Sequence, residues 1–160
     1  MTELVATQQQ KQYKILLIGD DCLDVYQYGT VDRISPEAPV PVFKYMYTED
    51  RGGMARNVKE NLEALGCSVD YLHGKTSTKT RLIDFRSRQH ILRIDNDVLS
   101  ESIEFETAIP EIYDAIVISD YNKGTISYEV VEEIIAKVNC PVFIDTKKAD
   151  LVRFQGAWVK

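Results

Sequence analysis

The chain has 160 residues, 44% of them hydrophobic and 28% charged, which suits one soluble core and excludes an intrinsically disordered chain. A formal net charge of −6 argues against a general nucleic-acid or anionic-membrane binder. Cys22, Cys67 and Cys140 stand far apart with no C-x-x-C spacing, so they read as reduced cytosolic thiols rather than a disulfide framework or a metal knuckle.

Residues 1–12 are polar and Gln-rich and are expected to form a disordered tail, leaving 13–160 as one domain. The tail lacks the basic-then-apolar order of a signal peptide. No apolar run approaches the roughly 18 residues that span a bilayer, so no membrane partner is expected and the cytoplasm is the expected location. "YKILLIG" then reads as a buried strand ending at Gly19. "DRISPEAPVPV" follows, with Pro36, Pro39 and Pro41 excluding a helix or a central strand. "VFKYMYTE" alternates Phe43, Tyr45 and Tyr47 with Lys44, Met46 and Thr48, the pattern of a half-exposed strand with one aromatic face.

Gly52-Gly53 punctuates the chain before "ARNVKENLEALG", where Val58, Leu62 and Leu65 form a helical stripe and Gly66 sits at the C-terminal cap. "SVDYL", "TKTRLIDF" and "QHILRID" read as three further strands, and Ser102 to Tyr113 as helical to about Pro110. "DAIVIS", "SYEVVEEIIAKV" and "PVFID" give strand, amphipathic helix and strand, the length of one βαβ unit. The expected class is α/β with a parallel sheet flanked by helices, and ligands at the C-terminal strand ends.

Four segments carry polar groups at such ends. "GDDCLD" places Asp20, Asp21 and Asp24 together; their repulsion points to a cation or sugar hydroxyls, or one of them caps a following turn. An aspartate-nucleophile phosphohydrolase wants Asp-x-Asp directly after the strand, which the spacing of Asp20 and Asp24 does not match. "RGGMARN" lets backbone amides approach a ligand at a helix start, or is a tight strand-to-helix turn. "SDYNKG" offers Asp120 and Lys123 to a hydroxyl and a phosphate, or is a capped polar turn. "IDTKK" places Asp145 equivalently, or is a surface loop. Neither G-x-x-x-x-G-K-[ST] nor G-x-G-x-x-G is present, which excludes a P-loop. His73 and His90 lack zinc-ligand spacing, and no nucleophile elbow occurs, so no metal site is assigned. Three apolar strands ending in polar loops, with a Gly-Gly helix start, suit a hydroxyl-rich, phosphorylated ligand.

The order of "GDDCLDVYQYG", "RISPEAPVPV", "GGMARNV…NLEALG", "KTR", "QHILRID", "SDYNKG" and "IDTKKADLVRFQGA" resembles the heptose 7-phosphate kinase domain of bacterial bifunctional heptose kinase/adenylyltransferases, within the ribokinase-like (PfkB) sugar kinases. The resemblance runs from about Ile15 to the end. It implies a ribokinase-like body with a small β-sheet lid, from about 31–50 and 78–95, whose path the prolines stiffen. It implies ATP- and Mg2+-dependent phosphorylation of the anomeric hydroxyl of D-glycero-D-manno-heptose 7-phosphate, on the route to ADP-heptose for lipopolysaccharide. By motif match, Asp24, Gly52, Gly53 and Asn57 would contact the sugar. Lys79, Arg81, Arg93 and Lys123 would stand near the sugar or its phosphate, and Asp120 would hold a hydroxyl or orient Lys123. A small-molecule sugar phosphate is the implied partner, with a homodimer through the lid as a second.

Three departures stand out. "GGMARNV" carries one residue more than the usual Gly-Gly-x-x-Asn-Val. The stretch from Gly66 to Lys79 is shorter than the family's by one strand–helix unit, on the order of 30 residues. The family's Asn-x-x-Glu and Gly-Ala-Gly-Asp motifs, with the aspartate base, would lie beyond Lys160, so the expectation is a truncated domain holding the sugar-binding half. The alternative is a non-catalytic remnant that binds sugar phosphate or acts through its lid.

Overall fold

The computed structural model describes residues 11–104 and 112–160. Its elements are β1 (Lys14–Ile34), β2 (Pro41–Met54), α1 (Ala55–Ala64), β3 (Ser68–Asp84), β4 (His90–Asn96), β5 (Ala115–Asp120), α2 (Tyr128–Lys137), β6 (Val142–Thr146), a 3-10 turn (Leu151–Phe154) and β7 (Trp158–Val159). The seven strands form one mixed sheet in the order β4-β3-β1-β5-β6-β7, with β2 also on β1.

The body is parallel. Ile15–Gly19 pairs with β5 on one side while Lys14–Gly19 pairs with β3 on the other, and β5 pairs onward with β6. The three apolar runs thus lie side by side in the sheet. On one face Leu16, Ile18, Ile116, Ile118, Val142 and Ile144 meet Val130, Val131 and Ile134 of α2 and Phe154. Ser127 begins α2 by accepting a hydrogen bond from the Val130 amide at 3.2 Å. On the other face α1 lies against β1, β2 and β3, while Phe143 and Trp158 stack at 6.5 Å and remain exposed. Gly66 closes α1 with φ +87°, and the amides of Gly66 and Cys67 reach back to the carbonyls of Glu63 and Leu62. This is the paired bonding that a left-handed glycine permits after a helix.

The strand ends differ from the sequence reading. β1 does not stop at Gly19 but continues to Ile34, pairing antiparallel with β2 from Asp21 onward. The antiparallel pairing that carries the lid region therefore begins at Asp21, and Gly52-Gly53 lies within β2 rather than in a loop. "SVDYL" and "TKTRLID" are one 17-residue strand, β3, that runs from body into lid. Its pairing with β1 shows one irregularity, where Gly19↔His73 steps to Asp21↔Thr76. The chain passes straight from body to lid within β3. Most of the helix expected over Ser102–Tyr113 lies outside the described residues, as does most of the N-terminal tail. Ser102–Glu104 and Ile112–Tyr113, which are described, are not helical.

Candidate functional site

A cleft of about 470 Å³ opens where the lid meets the body. Asp24, Tyr26, Arg51, Gly52, Gly53, Asn57 and Glu60 line it, together with Asp50 and Met54. Strand pairing explains the convergence. Leu23 and Asp24 lie opposite Gly52 and Arg51, and Asn57 follows in the first turn of α1. A Cβ on Gly53 would sit 2.8 Å from Asp24 Oδ2, so only glycine allows this close approach of backbone and carboxylate. Met54, between Gly53 and α1, has φ +50°, a costly conformation for a non-glycine residue at the cleft wall.

Asp24, Gly52, Gly53 and Asn57 are thus brought together. Arg81 joins them from behind: its Nη1 donates to Asp24 Oδ1 at 2.7 Å, and neither side chain is more than 18% exposed. Burial works against the Arg81 charge, yet the bond to Asp24 raises its affinity for the proton. Lys79 lies opposite Asp24 in the β1–β3 register. Arg93 lies opposite Arg81 on β4 and is paired with Asp95 at 2.9 Å.

Lys123 and Asp120 do not line the cleft. Lys123 Nζ donates to Asp97 at 2.6 Å. That bond, aided by Lys79 and Arg93, holds the Asp97 carboxyl below its ordinary value against the opposing effect of desolvation. Lys123 is thus tied to Asp97, whose charge Lys79 and Arg93 also favour. Asp120 does not orient Lys123. It is buried at the end of β5, where it accepts from Lys148 Nζ at 2.8 Å, Thr146 Oγ1 at 2.6 Å and the Asn122 amide at 2.8 Å.

The clustered aspartates also have separate partners. Asp20 accepts from the amides of Tyr121, Lys123 and Thr125, at 2.7, 3.1 and 3.4 Å, so it organises a loop a hundred residues on rather than its own turn. Asp21 accepts from both Arg56 Nε and Nη2, Tyr71 and Thr76. The repulsion expected among Asp20, Asp21 and Asp24 is met by backbone amides at Asp20 and by the Arg56 and Arg81 guanidinium groups at Asp21 and Asp24. Among the described residues no group of three or more His, Cys, Asp or Glu side chains is arranged to hold a metal ion.

Tyr26, Arg51, Glu60 and Lys148 escaped the sequence reading. Only the 2-residue alternation of β1 past Gly19 could have placed Tyr26 beside Asp24.

No family model matches the chain. It is 35% identical over 184 residues to the "Bifunctional protein HldE" of Haemophilus influenzae, covering 92% of this chain and 38% of that protein. The HldE of Pasteurella multocida is 32% identical over 183 residues, again 92% and 38%. The chain thus spans well under half the length of these curated relatives. The alignment to the H. influenzae protein has 184 positions yet uses 92% of a 160-residue chain, so the relative carries residues that this chain lacks. Among solved structures, a carbohydrate kinase from Agrobacterium tumefaciens matches with a TM-score of 0.51 at 12% identity, covering 91% of this chain and 57% of that one. The Arabidopsis thaliana ribokinase complexed with ribose and ATP also gives 0.51 at 12% identity, covering 88% and 55%. The chain is homologous to the bifunctional HldE proteins along 92% of its length, and its fold is that of the ribokinase-like carbohydrate kinases.

Proposed function

We propose that the cleft binds a sugar phosphate of the heptose 7-phosphate type, and that the chain provides the sugar-holding part of a heptose-kinase-like domain. The observation that carries this reading is the convergence of Asp24, Gly53 and Asn57 on one cleft at the lid–body junction of a chain homologous to HldE. A carboxylate, an amide side chain and close-packed glycine backbone are acceptors and donors for vicinal hydroxyls, and Arg81 holds the carboxylate in place. Lys79, opposite Asp24 on β3, adds a positive charge near the cleft.

The described residues do not themselves fit Mg2+-ATP. Asp20, Asp21 and Asp120 are each occupied by protein donors, and no metal-ligating cluster is present among the described residues. Phosphoryl transfer needs charge neutralisation at the β- and γ-phosphates as well as a positioned base. The isolated 160-residue chain is therefore expected to bind heptose 7-phosphate without releasing ADP from ATP. ADP release clearly above that of an Asp24→Ala control would overturn this.

Binding itself is the sharper test. Asp24→Ala should weaken heptose 7-phosphate binding by roughly 1.5–3 kcal/mol, the range for hydrogen bonds to a charged group. Titration calorimetry decides it, and an unchanged Kd would remove the cleft from consideration. A second reading, that the lid also joins two copies of the chain, is favoured by Leu92 and Ile94. They lie two apart on β4, share a face, and are each 52% exposed. Leu92→Asp should then convert a dimer to a monomer in sedimentation; a wild-type monomer at high concentration rejects it.

A further inference from the structure

The charges around the cleft are not evenly spread. Asp24, Asp50 and Glu60 are acidic, and Arg51 is the one cation among the described lining residues. Among the described charged residues that line the cleft, Arg51 alone attracts a dianion. Arg51 is also prepared for one. Its guanidinium carbon lies 4.9 Å from the centre of the Tyr26 ring, which fixes the plane of the group while leaving its in-plane N–H donors available. Its protein partner is Glu49 at 3.2 Å, on an exposed rim where ion pairs contribute little and yield readily to a stronger acceptor. Arg81 stands 5.0 Å from the same ring, but Asp24 already engages it.

We propose that Arg51, held against Tyr26, receives the phosphate of the bound sugar and is the residue by which the cleft distinguishes a phosphorylated sugar from an unphosphorylated one. This rests on the reading of the cleft as a sugar-phosphate site. The sugar hydroxyls then lie toward Asp24 and Asn57, and the phosphate toward the lid edge at β2. A planar guanidinium meets two phosphate oxygens at once, which a lysine at this position would not reproduce.

The test compares Kd values for D-glycero-D-manno-heptose 7-phosphate and for the same heptose without phosphate. Wild type, Arg51→Gln, Arg51→Lys and Tyr26→Leu are measured at low and moderate salt. Arg51→Gln should lose roughly 10- to 100-fold for the phosphorylated sugar and leave the other unchanged, so the preference between them collapses. Arg51→Lys should recover only part of it. Tyr26→Leu should shift the preference in the same direction, because it frees the guanidinium plane. The salt dependence of binding should flatten in Arg51→Gln. The Arg51 side chain is 61% exposed, so its variants should melt with the wild type. Undiminished preference in Arg51→Gln, or equal losses for both sugars, overturns the assignment and leaves the sugar site standing. Failure of wild type to bind either sugar overturns both.

Discussion

Asp120→Ala is expected to lower the stability of the fold by about 3–5 kcal/mol, the cost of leaving a buried charge without its partner. The Lys148 side chain is 6% exposed and that of Asp120 2%. Without Asp120, the ammonium keeps Asn122 Oδ1 at 3.5 Å and the face of Tyr128, whose centre is 5.6 Å away. Thr146 and the Asn122 amide lose their acceptor in the same step. Asn122 takes a left-handed φ of +60°, which asparagine tolerates, and its amide bond to Asp120 fixes that turn.

The reverse substitution is milder. Lys148→Met leaves the Asp120 carboxylate bonded to Thr146 and Asn122, and its apolar chain, one atom shorter than that of lysine, keeps most of the packing beside Tyr128. The double variant Asp120→Ala, Lys148→Met should be more stable than Asp120→Ala alone, since no buried ammonium remains. Urea unfolding of the four proteins checks this. If the double variant loses the sum of the two single losses, the pair is not coupled and the explanation fails.

That pair marks the limit of what the sequence discloses. The body strands are legible because "KILLIG", "DAIVIS" and "PVFID" are short apolar runs, the mark of interior parallel strands, although Phe143 of β6 stays exposed. The end of α1 is legible because Gly66 is a local device. The extension of β1 past Gly19 is not, because its acidic residues are neutralised from afar. Asp21 is met by Arg56, Tyr71 and Thr76, and Asp24 by Arg81, all at least 35 positions away in the chain. Local composition therefore describes a polar loop where the fold builds a strand. In the site, Asp24, Gly53 and Asn57 could be drawn together by motif. Arg51 could not, because its neighbours Gly52 and Gly53 suggest a turn, whereas the β1–β2 register sets it opposite Asp24. Lys148 comes to Asp120 only through the pairing of β5 with β6, which sets Ser119 beside Asp145 and Asp120 beside Thr146.

Asp21→Ala is expected to cost a similar amount, about 3–5 kcal/mol at neutral pH, and to do so in a pH-dependent way. The Asp21 side chain is fully buried on β1, at the step where body pairing gives way to lid pairing. Arg56 Nε and Tyr71 each donate to it at 2.9 Å and Thr76 at 2.6 Å. These donors come from α1 and from both sides of the irregularity in β3, so one carboxylate ties helix, body and lid together. Burial alone would raise its pKa. The bonds from Arg56, Thr76 and Tyr71, with the Arg56 charge, outweigh burial and hold it below the ordinary 3.8. Burial and the bond to Asp21 push the Tyr71 hydroxyl up, so it stays a donor across the working range. A carboxyl with a depressed folded pKa stabilises the fold above its unfolded pKa. That stabilisation is complete above about pH 4 and is lost as pH falls through the lower folded value. Asp21→Asn keeps the shape but cannot ionise, so its stability should lie below wild type at pH 7, and the gap should close as the pH drops below 3.8. Thermal or urea unfolding from pH 7 to pH 2 measures both curves. A gap between wild type and Asp21→Asn that stays constant across that range would show that the Asp21 charge does not hold the lid to the body.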